Sequence, residues 1–390
     1  MGVIIEVRNS LEGLEKKIRI RKRRTWRRVI LAIATLLAAA FSTYLLLEVQ
    51  TYTKVRVIQT YSMEGLDSSN YVQFSDGVLK YSRDGVAFLN RRGEEQWNQS
   101  YQIKNPFVDI YGDSGAVADR GGNAILVFDK KGLKGEVNTN FPIEQIAVAE
   151  NGIVSALLKN ENTPKIVCYD AKGNVLVEHQ ASLEGTGYPI GMAIAPEGTM
   201  LQVSYLCVAD GETATKVAYY EFGKTGDAGK DYQVTEDIYK NTVIPTSFFV
   251  DDEVSVLVGT EAFMIYEGRA KPLRSQTIKL GKEIKSVFYD RKYIGFVLQN
   301  TDVGYELRLY DIKGRKRLSH TFMGEYNHIK VSGENVIMYD GKKCSVFSLW
   351  GVHKFDGEVD DDILEILPLP GVNKYLMINA RGLEEVRLVK

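Results

Sequence analysis

The chain has 390 residues, of which 44% are hydrophobic and 25% are charged, a composition within the ordinary globular range. Its formal net charge of −1 is unevenly distributed: residues 1–28 carry ten Lys/Arg against three Asp/Glu and the remainder 39 against 47, so the mildly acidic main body excludes nucleic acid as a partner. Three cysteines without a CxxC pair exclude a disulfide framework and a cysteine zinc site.

A basic tail precedes an apolar segment near the N-terminus. Residues 29–47 contain no charged residue and would rise about 28 Å as a helix, close to the bilayer's hydrocarbon thickness of about 30 Å. Trp26 and Tyr44 lie near its ends, where aromatic rings favour the membrane interface. The segment is therefore predicted to be a transmembrane helix. Six neighbouring residues are predicted to bind anionic lipid and to set the topology: Arg21, Lys22, Arg23, Arg24, Arg27 and Arg28.

The charge asymmetry also predicts the orientation of the chain. Residues 1–28 are expected in the cytoplasm and everything after the span outside it. Small residues at 38–40 would also suit a cleaved signal peptide, but the apolar run continues to Leu47 and favours an uncleaved signal-anchor. The linker at residues 48–53 spans at most about 20 Å, so the following domain is expected to stay close to the membrane.

From residue 54 onward, short apolar runs recur in groups of four. The third and fourth runs form a hairpin around a glycine, as in IVCYDAKGNVLVEH at residues 166–179. Runs such as residues 125–128 are almost wholly apolar, which indicates strands covered on both faces. The pattern predicts an all-β propeller of four-stranded blades. The hairpin glycine recurs at intervals of 37–50 residues, near the propeller period, at Gly93, Gly132, Gly173, Gly223, Gly268, Gly314 and Gly351.

The two ends of the repeat region indicate the number of blades. Three runs up to residue 390 lack a fourth, and the run at residues 54–61 would supply it by joining the last blade. We therefore predict eight blades closed by the N-terminal strand, with seven blades as the alternative. The seven complete blades are predicted near residues 71–101, 105–138, 142–180, 186–235, 242–279, 283–323 and 326–358.

The hairpin turns DAKG, DKKG, DIKG and NRRG resemble the Asp-x-x-Gly turn of quinoprotein-like (PQQ-like) propellers. Trp97 lies four residues after Gly93, where that family places a tryptophan that docks one blade onto the next. With its N-terminal anchor, the whole chain is similar to a family of bacterial single-pass membrane proteins that carry a propeller of unknown function. The resemblance implies fold, location and a docking role for Trp97. The adjacent cysteine pair of quinone-dependent dehydrogenases is absent, so no cofactor is expected.

No sequence pattern indicates catalysis or metal binding. His179 and His320 are predicted on outer strands, and His328 begins an inner strand that would face the channel. The acidic runs 251–253 and 358–362 lack the alternating oxygen ligands of a calcium loop and are predicted to be solvated turns. We therefore predict no catalytic residue and no metal ligand.

These features favour a membrane-anchored, extracytoplasmic propeller that acts as a non-catalytic protein-binding or scaffold module of the cell envelope. The expected partners are the lipid bilayer and an envelope protein. Two other classes stay open. A sensor would capture a ligand outside and signal through the single span, and a hydrolase or quinone-dependent enzyme would place its site in the channel. The sequence does not identify a small-molecule ligand.

Overall fold

The computed structural model describes residues 22–43, 46, 49–62, 69–160, 163–222, 232–301 and 303–390. The chain divides into two compact units, Met1–Thr51 and Tyr52–Lys390. In the first unit, helix α1 covers Lys22–Thr43 and is long and apolar enough to cross a membrane. Arg21, Tyr44 and Gly223, which the sequence analysis singled out, lie outside the described residues.

The second unit contains eight antiparallel four-stranded sheets, so the prediction of an eight-bladed propeller is confirmed. First strands of neighbouring blades lie side by side around a central channel. Blades 1 to 4 contain β2 (Asn70–Phe74), β3 (Gly77–Tyr81), β4 (Gly85–Leu89), β5 (Glu95–Ser100), β6 (Pro106–Tyr111), β7 (Ser114–Asp119), β8 (Ala124–Asp129), β9 (Gly132–Asn138), β10 (Ile143–Val148), β11 (Val154–Leu158), β12 (Lys165–Tyr169), β13 (Val175–Gln180), β14 (Tyr188–Ile194), β15 (Met200–Ala209), β16 (Glu212–Glu221) and β17 (Gln233–Lys240).

Blades 5 to 8 continue the same order, except that the last blade takes its outer strand from the beginning of the unit. That outer strand is β1 (Lys54–Tyr61). The blade order is β1-β32-β31-β30, where β30 is Glu365–Pro368, β31 is Lys374–Asn379 and β32 is Gly382–Val389. The strands are β18 (Thr246–Phe249), β19 (Val254–Val258), β20 (Ala262–Glu267), β21 (Leu273–Lys279), β22 (Ile284–Tyr289), β23 (Tyr293–Gln299), β24 (Gly304–Asp311), β25 (Lys316–Met323), β26 (His328–Ser332), β27 (Asn335–Asp340), β28 (Lys343–Ser348), β29 (His353–Glu358), β30 (Glu365–Pro368), β31 (Lys374–Asn379), β32 (Gly382–Val389) and β1 (Lys54–Tyr61).

The eighth blade joins the two ends of the unit. Strand β1 pairs antiparallel with β32, and Lys54 lies opposite Val389. Without β1, the backbone N–H and C=O groups along one edge of β32 would be left unpaired. The pairing therefore closes the ring by hydrogen bonds between residues from opposite ends of the chain.

Packing between blades explains the apolar runs. Every residue of β11 is buried, whereas the outer strand β13 alternates between exposed and half-buried residues. Neighbouring blades share one apolar cluster, as where Val127 of blade 2 and Ile146 of blade 3 pack together. A middle strand is covered by a blade on each side, so it has no wet face.

The fourth blade is longer than predicted. It was predicted near residues 186–235, but β17 continues to Lys240, which pairs with Ala214. The reason is the length of β15 and β16, which have ten residues each. A long third strand offers more backbone groups for its outer neighbour to pair with.

The Asp-x-x-Gly turn has a local physical cause. The carboxylate of Asp170 accepts hydrogen bonds from the backbone N–H groups of Lys172 and Asn174 at 2.9 Å. Gly173 has a φ of 86°, at which a side chain would be strained. In blade 6, the Asp311 carboxylate accepts the two corresponding bonds. The turn is therefore encoded within five residues, which is why it can be recognised from sequence.

Candidate binding face at the channel mouth

Turns at one end of the propeller surround the mouth of the channel. We call this end the mouth face; it contains the turns between first and second strands and those between third and fourth strands. In seven of the eight blades, the turn after the first strand carries acidic residues. These residues form an acidic rim: Asp76, Asp113, Glu150, Glu197, Asp251, Asp252, Glu253, Asp290 and Glu334.

An open cavity of about 630 Å³ lies inside this rim. Glu150 binds Arg291 across it at 2.9 Å, although the two residues belong to blades 3 and 6. The Arg291 guanidinium also lies 4.7 Å from the centroid of the Tyr111 ring. Its hydrogen bond to Glu150 raises the pKa of Arg291 further, so this cation stays charged. Glu365 and Lys330 form a second pair in the cavity wall.

The charges on the outer part of the rim are exposed. Lys130 binds Asp113 at 2.6 Å, and each side chain keeps 49% of its surface accessible. The hydrogen bond from Lys130 lowers the pKa of the Asp113 carboxyl, so Asp113 stays ionised at neutral pH. Exposed ion pairs contribute little to stability. Such carboxylates can exchange one cationic partner for another at small cost.

Asp109 lies deeper, beside a smaller cavity of about 120 Å³. Its carboxylate accepts a hydrogen bond from the backbone N–H of Val148 at 2.7 Å. Burial raises the pKa of Asp109 to about 6, against an ordinary value of 3.8. Near neutral pH this carboxyl can therefore hold or release a proton.

Aromatic and polar groups surround the same small cavity. The rings of Phe248 and Tyr289 stack in parallel with their centroids 3.5 Å apart. Tyr289 keeps 47% of its surface accessible, and desolvation by the surrounding protein raises the pKa of its hydroxyl, which is therefore a hydrogen-bond donor at neutral pH. The buried Ser247 hydroxyl has no hydrogen-bond partner within the described part of the chain. These groups suit a cation or a hydrogen-bonding side chain that enters from the mouth.

The predicted membrane residues lie on α1. Trp26 is 63% exposed within its unit. The five described basic residues near it are also exposed: Lys22, Arg23, Arg24, Arg27 and Arg28. Their lipid-binding role stays a prediction, as do the roles of Arg21 and Tyr44 outside the described residues.

Trp97 lies between the first two blades. Its ring centroid is 6.4 Å from that of Phe88 in blade 1 and 5.5 Å from that of Phe128 in blade 2. The indole N–H is buried and has no partner among the described residues. This position is compatible with the docking role of Trp97, which stays a prediction.

A contact between histidines was missing from the sequence analysis. His320 of blade 6 and His353 of blade 7 have ring centroids 5.4 Å apart. His353 stacks on Phe347 and forms a hydrogen bond of 2.8 Å with Ser345. Burial lowers the pKa of His353. Both histidines lie on outer strands, away from the channel. Among the described residues, no group of three or more His, Cys, Asp or Glu is arranged to hold a metal ion.

Comparisons with known proteins give a family and a fold. Residues 48–388 match the profile of a family described as "Family of unknown function (DUF5711)". No curated protein sequence matches significantly. The solved structure of BamB from Moraxella catarrhalis is similar, with a TM-score of 0.52 and 13% identity, covering 86% of this chain and 98% of that chain. Hsv2 of Kluyveromyces lactis has a TM-score of 0.49 and 7% identity, covering 76% and 100%. At 13% identity, the similarity to BamB shows the fold alone.

Proposed function

The chain belongs to the DUF5711 family of unknown function, and we propose that it is a membrane-anchored, extracytoplasmic protein-binding module of the cell envelope. In this proposal the propeller is non-catalytic and binds a basic segment of a partner protein on its mouth face. The observation that carries the proposal is the acidic rim around an open cavity of about 630 Å³.

Charge gives the rim its specificity. The cavity wall contains four acidic residues, Asp76, Asp113, Glu150 and Glu365, against two basic ones, Arg291 and Lys330, a net charge of −2. Seven blades add acidic turns around this opening. A lysine- or arginine-rich segment would be steered towards such a surface and would replace the exposed internal cations. Carboxylates paired with Lys or Arg are suited to binding charge rather than to making and breaking bonds.

The anchor would hold this module at the membrane. Helix α1 has the length and composition of a span, and basic residues crowd its N-terminal side. The positive-inside rule supports a cytoplasmic N-terminus and an external propeller. If so, the chain stays in the membrane pellet after alkaline carbonate extraction, and external protease degrades the propeller in spheroplasts. Recovery of the intact chain in the soluble fraction would contradict the anchor.

Site-specific photo-crosslinking in intact cells tests the mouth face. A photo-crosslinking amino acid at Lys131, in an exposed mouth-face turn, should capture a partner protein in stoichiometric amounts. Neutralising part of the rim should abolish most of this capture, because the rim attracts the basic segment. The variant carries the three substitutions Asp76→Asn, Asp113→Asn and Glu150→Gln.

A matched variant controls for lost charge in general. It carries three substitutions on the opposite face: Asp84→Asn, Asp210→Asn and Asp360→Asn. We expect it to retain full capture at Lys131. Equal capture by both variants would contradict the role of the rim. A probe at Lys131 that captures no protein would contradict the binding module itself.

A further inference from the structure

An exposed tryptophan lies on the mouth face. Trp350 is in the turn between β28 and β29, and 78% of its surface is accessible. An indole ring that does not pack into the core is unusual, because large aromatic side chains normally stabilise a protein by being buried. Trp350 therefore offers an apolar surface with a polar N–H to something outside the propeller.

A basic turn lies directly beside Trp350. The turn between β24 and β25 belongs to the neighbouring blade, and the strand that follows it, β25, brings Leu318 close to Gly351: an added Cβ at Gly351 would lie 3.3 Å from Leu318 Cδ1. Four basic residues lie here, Lys313 and Arg315 in the turn and Lys316 and Arg317 at the start of β25. We call Trp350 together with these four residues the Trp350 patch.

The patch has excess positive charge. Asp311 ends β24 just before the turn, and its carboxylate binds Arg315 and Arg317 at 2.8 Å. Asp311 is only 9% exposed, whereas the two arginines are 63% and 46% exposed. Four cations against one carboxylate leave a local charge of +3. This contrasts with the acidic rim around the channel, nearer the axis of the same face.

The N-terminal end of the propeller lies close to the patch. The backbone N–H of Tyr52 donates to the Lys354 carbonyl at 2.7 Å, and Tyr52 forms a parallel bridge with Phe355. Lys354 follows Trp350 by four residues, a distance of at most about 14 Å along the chain. Strand β1 then begins at Lys54, opposite the C-terminal end of β32, on the mouth face.

We propose that the Trp350 patch is a docking site for an anionic lipid surface. The inference rests on the proposed membrane anchor, because only an anchored propeller has the bilayer within reach of Tyr52. A tryptophan beside several basic side chains matches the chemistry of the interface, where indole rings sit at headgroup level and cations attract anionic lipid. The short linker supplies a high effective concentration, so a small patch suffices.

Quenching by brominated lipid tests the contact on the full chain. The chain is reconstituted in nanodiscs of phosphatidylcholine with or without phosphatidylglycerol, each carrying brominated acyl chains. The difference in fluorescence between the wild type and Trp350→Phe isolates the signal of Trp350. We expect this signal to be quenched and blue-shifted in nanodiscs that contain phosphatidylglycerol. The exposed position makes Trp350→Phe compatible with folding, which circular dichroism checks.

Charge variants test the electrostatic attraction between the Trp350 patch and anionic lipid. Lys313→Gln with Lys316→Gln leaves the Asp311 pairs intact and should remove most of the quenching of Trp350. Lys159→Gln with Lys342→Gln, on the opposite face, should retain it. A further control moves the indole to Val208, which is 76% exposed and lies near the C-terminal end of β15, on the face opposite the mouth face. In Val208→Trp with Trp350→Phe, the new tryptophan should be unquenched.

The anchor and the patch give separate readouts. The difference between the wild type and Trp26→Phe reports whether α1 inserts at all. Quenching of Trp26 without quenching of Trp350 would leave the anchor standing and overturn the patch. Equal quenching of Trp350 with and without phosphatidylglycerol, or in the lysine double variant, would overturn recognition of anionic lipid. If a bound protein shields Trp350 in detergent, the patch is a protein contact and the proposal of lipid docking is wrong.

Discussion

Two carboxylates in the propeller, Glu306, which is buried, and Asp109, which is half-buried beside the channel, have opposite electrostatic environments. Glu306, in blade 6, accepts hydrogen bonds from Arg308 at 2.5 and 2.8 Å and from Lys282 at 2.6 Å. These bonds, led by those from Arg308, lower the pKa of Glu306 to about 2. Asp109, in the channel, has a backbone N–H bond from Val148 and no ion pair among the described residues, and burial raises its pKa to about 6.

The difference separates structure from function. The cations around Glu306 offset the cost of removing its charge from water, so this network belongs to the architecture of blade 6. Asp109 carries that cost without an internal cation. A polar group kept at the expense of stability marks a place where selection acts on something other than folding. In the proposed function, the small cavity beside Asp109 would take a cation from the partner.

Removing the charge of Glu306 should give the largest effect. The folded pKa of about 2 lies below the ordinary value of 4.5, so the stabilisation is present above pH 4.5 and is lost as the pH falls towards 2. We expect Glu306→Gln to lower the free energy of unfolding by about 3 kcal/mol at neutral pH, since each pKa unit corresponds to about 1.4 kcal/mol. Urea denaturation at a series of pH values measures this loss and its disappearance in acid.

The control for Glu306 is a neighbouring exposed glutamate. Glu283 binds Lys285 at 2.8 Å but is 66% exposed, so solvent screens the pair. Glu283→Gln should leave stability almost unchanged. A loss in Glu306→Gln no larger than that of Glu283→Gln would mean that the buried network contributes nothing.

Neutralising Asp109 should change stability in the opposite direction. Its folded pKa of about 6 lies above the ordinary 3.8, so its contribution is favourable below pH 3.8 and is lost as the pH rises through 6. We expect Asp109→Asn, which can still accept the Val148 bond, to raise the free energy of unfolding by up to about 3 kcal/mol in mildly alkaline solution. The gain should vanish in acid. A destabilised Asp109→Asn at alkaline pH would show that the channel contains a cation for this carboxylate.

Local features of the fold were readable from the sequence. The turn at Asp170 and Gly173 is made by neighbouring residues, so its pattern survives in the one-dimensional sequence and gives the blade period. The outer strand of the last blade could be predicted because the last repeat has three runs instead of four and the run at residues 54–61 belongs to no other repeat. The end of blade 4 was missed because strand length depends on the pairing partner, and β16 is longer than the other third strands.

The candidate site needed the closed ring. Glu150 and Arg291 are 141 residues apart in sequence, and no spacing rule brings them together. In the sequence, Asp109 is an ordinary polar residue of a strand, because its environment is formed by residues of neighbouring blades. One signal was available and was missed: an acidic residue follows the first strand in most blades, as at Asp76 and Asp113. Of these first-strand turns, the one at 251–253 alone is predicted from the sequence as an acidic run, and there as a solvated turn.

His353 provides the smallest but most selective test of the comparison, because it is a half-buried base that forms no ion pair with any residue the structure describes. Burial lowers its pKa, with His320 adding to the effect and Asp356 opposing it. The unfolded chain then binds the proton better than the folded chain, so stability should fall as the pH drops below 6.5. His353→Gln should flatten this part of the pH profile.

Ser345→Ala removes the hydrogen bond to the ring but keeps the histidine, so it should preserve the slope. If the slope survives in His353→Gln and disappears in Ser345→Ala, burial is not the cause. The contrast between Asp109 and Glu306 would then need another explanation than the presence or absence of a counter-charge.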